Sequence, residues 1–328
     1  MNKNSTKLNK AFLEDLLLRR GTMIGMIVII LFLGIRAPSF FRVKNLMDVL
    51  KQSCILILVA MGQTVVLVSG GFDMSAGSLL QLTANLAAGF ILSGMKTPSV
   101  LAAGIAVGLV VGLVNTFFVV MVKIPAFVAT LAMMLVLSGV TTWYNKGKSI
   151  TLSNEPGFFF LGQGYIGPIP VLFIITVAVM LLLHVFLKKT KTGLRMYSVG
   201  ENYAAAMLHG ISKKKALLIS FMLGGALIGA AGVLQASYSY GASTMSTTLD
   251  FLLQALAASL LGTTFSRTEE LSVIGTAISA LFISSLSSAL IANGVSNLLQ
   301  PGLLGLILVV SVMLTVIKKR EIGQVTIF

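Results

Sequence analysis

The chain has 328 residues, of which 56% are hydrophobic and only 10% are charged, and its formal net charge is +14. Soluble domains carry about 25% charged residues, so this composition excludes an ordinary soluble protein. Several apolar runs approach the ~20 residues that cross a bilayer as a helix, and they lack the alternation of barrel strands. The sequence therefore predicts an all-α polytopic membrane protein. Its basic residues lie in loops beside the runs, which favours membrane topology over nucleic-acid binding.

About ten membrane-spanning helices are predicted, with both termini on the cytoplasmic side. The first, Met23–Ile35, is as short as a signal-peptide core, but no small-residue cleavage site follows it, so we expect it to be retained. Most of the Lys and Arg residues then face the cytoplasm, as the positive-inside rule requires. Segment 145–169 is predicted to face outward, as a docking site for a partner that delivers solute or as a plain capping loop. The other nine spans are predicted at 53–69, 74–94, 99–122, 126–144, 170–187, 216–236, 250–262, 271–292 and 302–317.

The segment 188–216 differs from the rest of the chain because it is polar and basic. Lysines flank it on both sides, which predicts a cytoplasmic location. Its middle, Glu201–Ile211, contains good helix formers, among them Leu208, and is predicted to be one short helix with Gly210 as its C-cap. Such a helix can merely join two spans, or it can dock a cytoplasmic partner.

Two parts of the chain share a spacing that indicates an internal repeat. Asp73 precedes Asn115 by about the same distance as Asp250 precedes Asn293, and each Asp comes shortly before or within a Leu-Leu-Gln span. Spans 2–5 would enter from outside and spans 7–10 from inside. The sequence thus predicts an inverted pseudo-repeat of spans 2–5 and 7–10.

Asp73 lies in the glycine-rich stretch Gly70–Ser78 between two predicted spans. An ionisable side chain is costly in hydrocarbon, by about 2.5–3.5 kcal/mol on insertion scales. One interpretation is that its carboxylate accepts backbone N–H bonds in an unwound segment that lines a path. The other is that Asp73 or Ser75 caps the next helix. Asp250 is predicted to be a simple cap of span 8.

Several side-chain amides lie within or beside the predicted spans. In a membrane each needs a partner, and hydrogen bonds between helices are the common solution. The alternative is that they line a translocation path, where scattered neutral groups suit a polar solute that must be released again. The amides in question are Gln63, Gln81, Asn85, Asn115, Gln254 and Asn293.

No motif for catalysis or metal binding is present in the sequence. His184 and His209 have no cysteine or carboxylate at ligand spacing, so we expect no metal site. There is no glycine loop of the G-x-x-x-x-G-K-[ST] type, so the chain is not expected to bind ATP or another cofactor itself. Cys54, the only cysteine, is interpreted as a packed side chain.

Four stretches resemble, in the same order, the permeases of ribose-type ATP-binding-cassette (ABC) importers, the inner-membrane components of binding-protein-dependent transport systems. They are Gly70–Ser78, Val114–Leu131, Ala292–Gly305 and the pattern formed by Gly200, Glu201, Ala204, Ala205, Gly210 and Ile211. The resemblance implies that 1–328 is a single permease domain of the kind seen in the vitamin B12 permease, with 188–216 as its cytoplasmic coupling loop.

The resemblance also implies the partners. Cytoplasmic ATPase subunits would carry ATP and Mg²⁺ and grip Glu201–Ile211. A second permease subunit, identical or different, would complete the path in the bacterial inner membrane, and an extracytoplasmic solute-binding protein would deliver a sugar or similar polar solute. The alternative is an ion-coupled secondary transporter, which usually needs carboxylates deep in its spans.

One stretch departs from the family pattern. Where the family has a second glycine-rich turn, this chain has Leu261–Leu271, in which Ser266, Arg267, Glu269 and Glu270 replace glycines. A tight turn there becomes a charged loop, which indicates that the two halves are not used symmetrically and points to a partner subunit that is not identical.

Overall fold

The computed structural model describes residues 25, 27–243, 248–265, 270–296, 299, 302–303 and 305–306. Within them the chain is almost entirely helical, as a lipid environment requires, because only internal hydrogen bonds satisfy the backbone there. The helices are α1 (Ile27–Arg36), α2 (Val43–Val68), α3 (Ala76–Leu92), α4 (Thr97–Thr116), α5 (Ala126–Asn145), α6 (Pro156–Gln163), α7 (Val171–Lys189), α8 (Lys191–Glu201), α9 (Tyr203–Leu208), α10 (Lys213–Tyr238), α11 (Thr248–Leu261) and α12 (Val273–Ala292).

Seven of these helices are long and apolar enough to cross a membrane: α2, α4, α5, α7, α10, α11 and α12. The α4 span continues through a π-helical turn, Phe117–Met121, and α11 continues through a 3-10 turn, Gly262–Phe265. Two shorter apolar helices, α1 and α3, lie where spans were also predicted. A polytopic all-α membrane protein is thus confirmed. The predicted tenth span, 302–317, lies almost wholly outside the described residues.

Two helix boundaries were wrong in the sequence analysis. Helix α2 begins at Val43, ten residues before the predicted span, because its first turns carry Asn45, Asp48 and Gln52 and so break the apolar run. Helix α10 begins at Lys213 instead of 216, since the side chain of Ser212 caps it by accepting a hydrogen bond from the amide of Lys215 (3.4 Å).

Helix α2 is the centre of the bundle. Its middle is buried on all sides, and it packs against α7, α10, α11 and α12. On one side, a buried hydroxyl cluster joins three helices: Thr64 Oγ1 lies 2.7 Å from Thr276 Oγ1 and 3.1 Å from Ser259 Oγ, which in turn donates to the carbonyl of Ala60 (3.0 Å). Such hydroxyl bonds hold membrane helices together where hydrophobic burial contributes little.

Glycine stripes join α4 to α10, the most extensive helix pair in the structure. Gly108 faces Gly225, and Gly104 faces Gly229. A Cβ on Gly108, Gly225 or Gly229 would clash with the backbone carbonyl opposite, and a Cβ on Gly104 would clash with the side chain of Val233. Gly112 approaches the carbonyl of Phe221 in the same way. Small residues four apart let the two backbones meet, which is how membrane helices gain packing contacts.

The segment predicted as an outward loop, 145–169, is partly ordered secondary structure. It contains β1 (Ile150–Thr151), α6, and the two-residue strand β2 (Tyr165–Ile166), which pairs with β3 (Ile169–Pro170). Strand β1 pairs antiparallel with β4 (Gly241–Ala242), which follows α10. The amide of Gly162 in α6 also donates to Ser237 Oγ of α10 (2.8 Å). The segment therefore folds back over one end of α10.

Candidate functional site

The polar segment 188–216 forms a compact corner at one end of the bundle. Helix α8 begins directly after α7, with Thr190 as N-cap accepting from the amide of Gly193 (3.1 Å). A Cβ at position 193 would clash with the carbonyls of Phe186 and Leu187, so the α7–α8 turn needs glycine there. Met196, Tyr197 and Val199 are buried and attach α8 to the bundle.

Helix α9 is the short helix predicted within Glu201–Ile211, but it begins only at Tyr203. Gly200 and Glu201 belong to the end of α8. Asn202 then adopts an extended conformation, and its side chain caps α9 by accepting from the amide of Ala205 (3.0 Å). An extended residue ends one helix, and its side chain starts the next.

The prediction that the helix stops at Gly210 is confirmed: His209 is the C-cap, and Gly210 follows it. The φ of Gly210, +71°, is a conformation that favours glycine. Its amide donates to the carbonyl of Met207 (2.9 Å), and the amide of Ile211 donates to that of Ala206 (3.0 Å). This pair of bonds is the Schellman motif, which satisfies the last carbonyls of a helix.

Helix α9 presents most of its surface to solvent. Ala206, 2% exposed, and the half-buried Ile211 fix it against the main core. Leu208 is 86% exposed, and Met207 is also largely exposed. The other predicted coupling residues are exposed as well: Gly200, Glu201, Ala204, Ala205 and Gly210. The structure thus brings the predicted set together as one surface, with lysines at 213–215 beside it.

The end of α8 lies directly on the end of α2. A Cβ on Gly200 would clash with the carbonyl oxygen of Val68, and a Cβ on Gly70 would lie 3.5 Å from the Cα of Gly200. Gly70, with φ +74°, ends α2 through the same double hydrogen-bond motif as Gly210. Helix α8 therefore connects the exposed surface at α9 to the break between α2 and α3.

That break, residues 69–75, contains Asp73, which is 2% exposed. Its Oδ1 accepts from the amide of Ser75 (2.8 Å) and from Ser75 Oγ (2.6 Å). Ser75 occupies the N-cap position of α3 but makes no side-chain capping bond. Asp73 thus lies before the helix, and its carboxylate accepts a backbone N–H bond in the unwound segment, as the first interpretation requires. That this segment lines a path stays a prediction.

Three neighbouring helices hold the break. Gln63 of α2 donates to the carbonyl of Asp73 (2.6 Å), and Asn115 of α4 donates to Ser75 Oγ (3.0 Å). Thr130 Oγ1 of α5 donates to the carbonyl of Phe72 (3.2 Å) and accepts from the amide of Met74 (3.0 Å). The side-chain oxygens of Gln63 and Asn115 are buried and have no hydrogen-bond partner among the described residues.

Gln81 and Asn85 of α3 form a second polar group. Gln81 Nε2 donates to the carbonyl of Ser243, which follows β4. Asn145 of α5 donates to Asn85 Oδ1 (3.0 Å), while Asn85 Nδ2 donates to the carbonyl of Gln81 (2.9 Å). These amides therefore make the hydrogen bonds between segments that the sequence indicated.

The corresponding residues of the second half occupy different settings. Asn293 is the C-cap of α12 and donates to the carbonyl of Leu33 in α1 (2.9 Å), whereas Asn115 lies inside a helix. Asp250 lies inside the first turn of α11 and is half-buried. A carboxylate is favourable there because of the helix dipole. Gln254, one turn further, is also half-buried.

Sequence reasoning missed the contacts that the end of α7 and helix α8 make with the second half. Lys188 Nζ lies 2.5 Å from Glu270 Oε2 and 4.1 Å from the centre of the Tyr197 ring. The hydroxyl of Tyr197 donates to the carbonyl of Leu271 (2.6 Å). Burial raises the pKa of Tyr197, although Lys188 opposes the shift, so the phenol stays protonated as a donor. Ser266, Arg267 and Glu269 lie outside the described residues.

Comparison with known proteins identifies the family. A family described as "Branched-chain amino acid transport system / permease component" matches residues 45–312, which is most of the chain. The chain belongs to this permease family. The permease is 33% identical to a ribose import permease protein of Bacillus subtilis, over 94% of this chain and 96% of that protein.

Two further relatives extend the comparison. The permease is 28% identical to a probable ABC transporter permease protein of Sinorhizobium fredii, over 92% of this chain and 90% of that protein. It is 29% identical to a fructose import permease protein of Bifidobacterium longum, over 81% of this chain and 75% of that protein. No solved structure matches the permease.

Proposed function

We propose that this permease is the transmembrane subunit of an ABC importer that moves a sugar or sugar-like polar solute. The observation that carries the proposal is helix α9, whose Leu208 is exposed on a polar, lysine-rich surface. Together with the exposed Tyr203 and Met207 of the same helix, Leu208 forms an apolar patch, and an apolar patch rimmed by polar residues is typical of a contact surface. The import functions printed for the ribose and fructose relatives support the choice of a sugar.

The partners follow from the same proposal. Cytoplasmic ATPase subunits bind ATP and Mg²⁺ and grip α9, so that 188–216 is the coupling loop and the chain itself is not an enzyme. A second permease subunit completes the path in the bacterial inner membrane, and an extracytoplasmic binding protein delivers the solute. The whole chain, 1–328, is one multi-pass domain with about ten spans and both termini in the cytoplasm.

The packing of the helices supports an inverted repeat like that of the vitamin B12 permease. If spans 2–5 are α2–α5 and spans 7–9 are α10–α12, a pseudo-two-fold axis relates α2 to α10, α3 to α11 and α4 to α12. The pair α2–α12 then corresponds to α10–α4, α2–α11 to α10–α3, and α11–α12 to α3–α4. All six pairs are in contact. Such repeats rock against each other during alternating access.

We also propose that the Asp73 break belongs to the moving part. The backbone groups around Asp73 are bonded to side chains and not to other backbone groups of a helix. This arrangement favours a segment that rearranges during transport. We propose that the six predicted residues also line the solute path, because the hydrogen bonds described above use only part of their polar groups. These residues are Asp73, Gln81, Asn85, Asn115, Gln254 and Asn293.

An uptake assay in vesicles tests the proposal. The permease is reconstituted with its ATPase subunits, and radiolabelled D-ribose, D-fructose or L-leucine is presented with the binding protein. We expect sugar uptake that needs the ATPase and ATP and is unaffected by ionophores. Uptake that is abolished by ionophores and independent of ATP would favour the ion-coupled transporter. Transport of leucine alone would contradict the proposal that the solute is a sugar.

A further inference from the structure

Helix α8 contacts both halves of the bundle. Its C-terminal end lies on the first half, where Gly200 meets the carbonyl of Val68 at the start of the Asp73 break. About one helical turn earlier, Tyr197 reaches the second half and donates to the carbonyl of Leu271 (2.6 Å). Leu271 immediately precedes Ser272, the N-cap of α12. A displacement of α8 therefore acts at two places, and these belong to different halves of the pseudo-repeat.

The second contact is fixed by a charged group from the loop that departs from the family pattern. Glu270 pairs with Lys188, the penultimate residue of α7, at 2.5 Å. Lys188 also lies over the Tyr197 ring, 4.1 Å from its centre. The lysine therefore lies between a carboxylate and an aromatic face, and both hold its ammonium group in one position.

We propose that Lys188, Tyr197 and Glu270 form a clamp that attaches α8 to the start of α12, so that motion of α9 is transmitted to the second half of the bundle as well as to the first. This inference rests on the proposed function, because it concerns how a force on α9 is distributed. The three residues are positioning residues that touch neither solute nor nucleotide. The clamp uses Glu270, one of the residues that stand where the family pattern has glycine.

The geometry explains why the clamp needs more than its ion pair. Both charged side chains are about one third exposed (30% and 33%), and an exposed pair by itself contributes little to stability. Tyr197 is buried, however, and its hydroxyl bond ties the same lysine site to the backbone before α12. Losing the pair should therefore leave the fold intact while loosening the link between α8 and α12.

The test uses the full complex of permease, ATPase subunits and binding protein in vesicles. The variants are Lys188→Glu, Glu270→Lys and the double exchange Lys188→Glu/Glu270→Lys, with Glu270→Gln as the mildest change. Lys189→Glu is the matched control, because Lys189 is the next residue, exposed, and undergoes the same change of charge. Three quantities are measured: co-purification of the ATPase, ATP hydrolysis, and D-ribose or D-fructose taken up per ATP hydrolysed.

We expect every variant to keep its ATPase subunits, because α9 is unchanged. The two single reversals should lower solute uptake per ATP by about fivefold or more, which is the range of a modest coupling energy. The double exchange should recover part of the lost uptake, since it restores the ion pair in reverse but places a carboxylate against the Tyr197 ring. Glu270→Gln should give a smaller loss, and Lys189→Glu none.

Three results would overturn the clamp. They are unchanged uptake per ATP in both single reversals, losses in the double exchange that multiply those of the single variants, and loss of the ATPase subunits from the Lys188→Glu complex, which would assign Lys188 to docking. Failure of the proposed function would differ, because the unmodified permease would then bind no ATPase.

Discussion

Truncation of Leu208 to alanine gives the sharpest prediction for the α9 surface. Leu208 is 86% exposed in the isolated chain, so almost its whole side chain is available to be buried by a partner. Full burial of a leucine contributes about 1.5–3 kcal/mol. We therefore expect Leu208→Ala to weaken binding of the ATPase subunit by about 2 kcal/mol, which is about 30-fold in Kd.

The assay is a titration of purified ATPase subunit onto the permease in nanodiscs, with the Kd read from equilibrium binding. Leu182→Ala is the matched control, because Leu182 is 72% exposed but lies within the apolar helix α7. The control should bind the ATPase normally. The thermal midpoint of Leu208→Ala should also be unchanged, since an exposed side chain supports no core. An unaltered Kd in Leu208→Ala, or an equal loss in both variants, would refute the reasoning.

Three further predictions concern the backbone around this surface and its connection to the bundle. Gly210→Val should abolish transport while membrane insertion stays normal, because φ +71° strains a branched residue by about 1–3 kcal/mol although space is open there; normal transport would count against docking. Gly108→Val should lower the thermal midpoint, since its side chain meets the α10 backbone and overpacking costs about 1–3 kcal/mol, whereas Gly139→Val, in open space, should not. Asp73→Ala should destabilise the protein by about 1–3 kcal/mol by leaving the Ser75 amide unpaired, and Asp73→Asn, which keeps an acceptor, by less; equal thermal midpoints would contradict this.

The sequence predicted the helices well where apolar runs and glycine signals coincide. Helix α5 and the end of α9 at Gly210 agree with expectation within a residue or two, because apolar length and a positive φ are local properties. The start of α2 could not be found in this way. Its first turns carry Asn45, Asp48 and Gln52, and a hydrophobicity criterion cannot distinguish polar helix from loop.

The sequence grouped the residues of the α9 surface but did not indicate how this surface is connected to the rest of the bundle. The residues of the α9 surface are adjacent in sequence, so one motif was enough to gather them. The Lys188–Glu270 pair spans 82 positions, and nothing local indicates it. The glycine spacing at 104, 108 and 112 was visible in the sequence and would have predicted the close approach of α4 to another helix.

The residue equivalences of the internal repeat illustrate a limit of matching by spacing. Asn115 and Asn293 follow their aspartates at nearly equal distances, yet one is buried inside α4 and the other ends α12. Spacing alone cannot distinguish a residue inside a helix from one that caps it, because both lie near apolar runs. The proposed repeat therefore rests on the contacts between whole helices and not on the matched polar residues.

The most direct measurement is a site-specific cross-link from α9 in the assembled complex. Cys54 is the only cysteine and is buried, so a Cys54→Ala background allows one reactive thiol to be placed at Leu208→Cys. A photo-cross-linker on that thiol should capture the ATPase subunit, while the same probe at Leu182→Cys should capture none. A thiol at position 208 that reacts with membrane-impermeant reagent from outside intact cells, or that never cross-links to a nucleotide-hydrolysing subunit, would contradict the account.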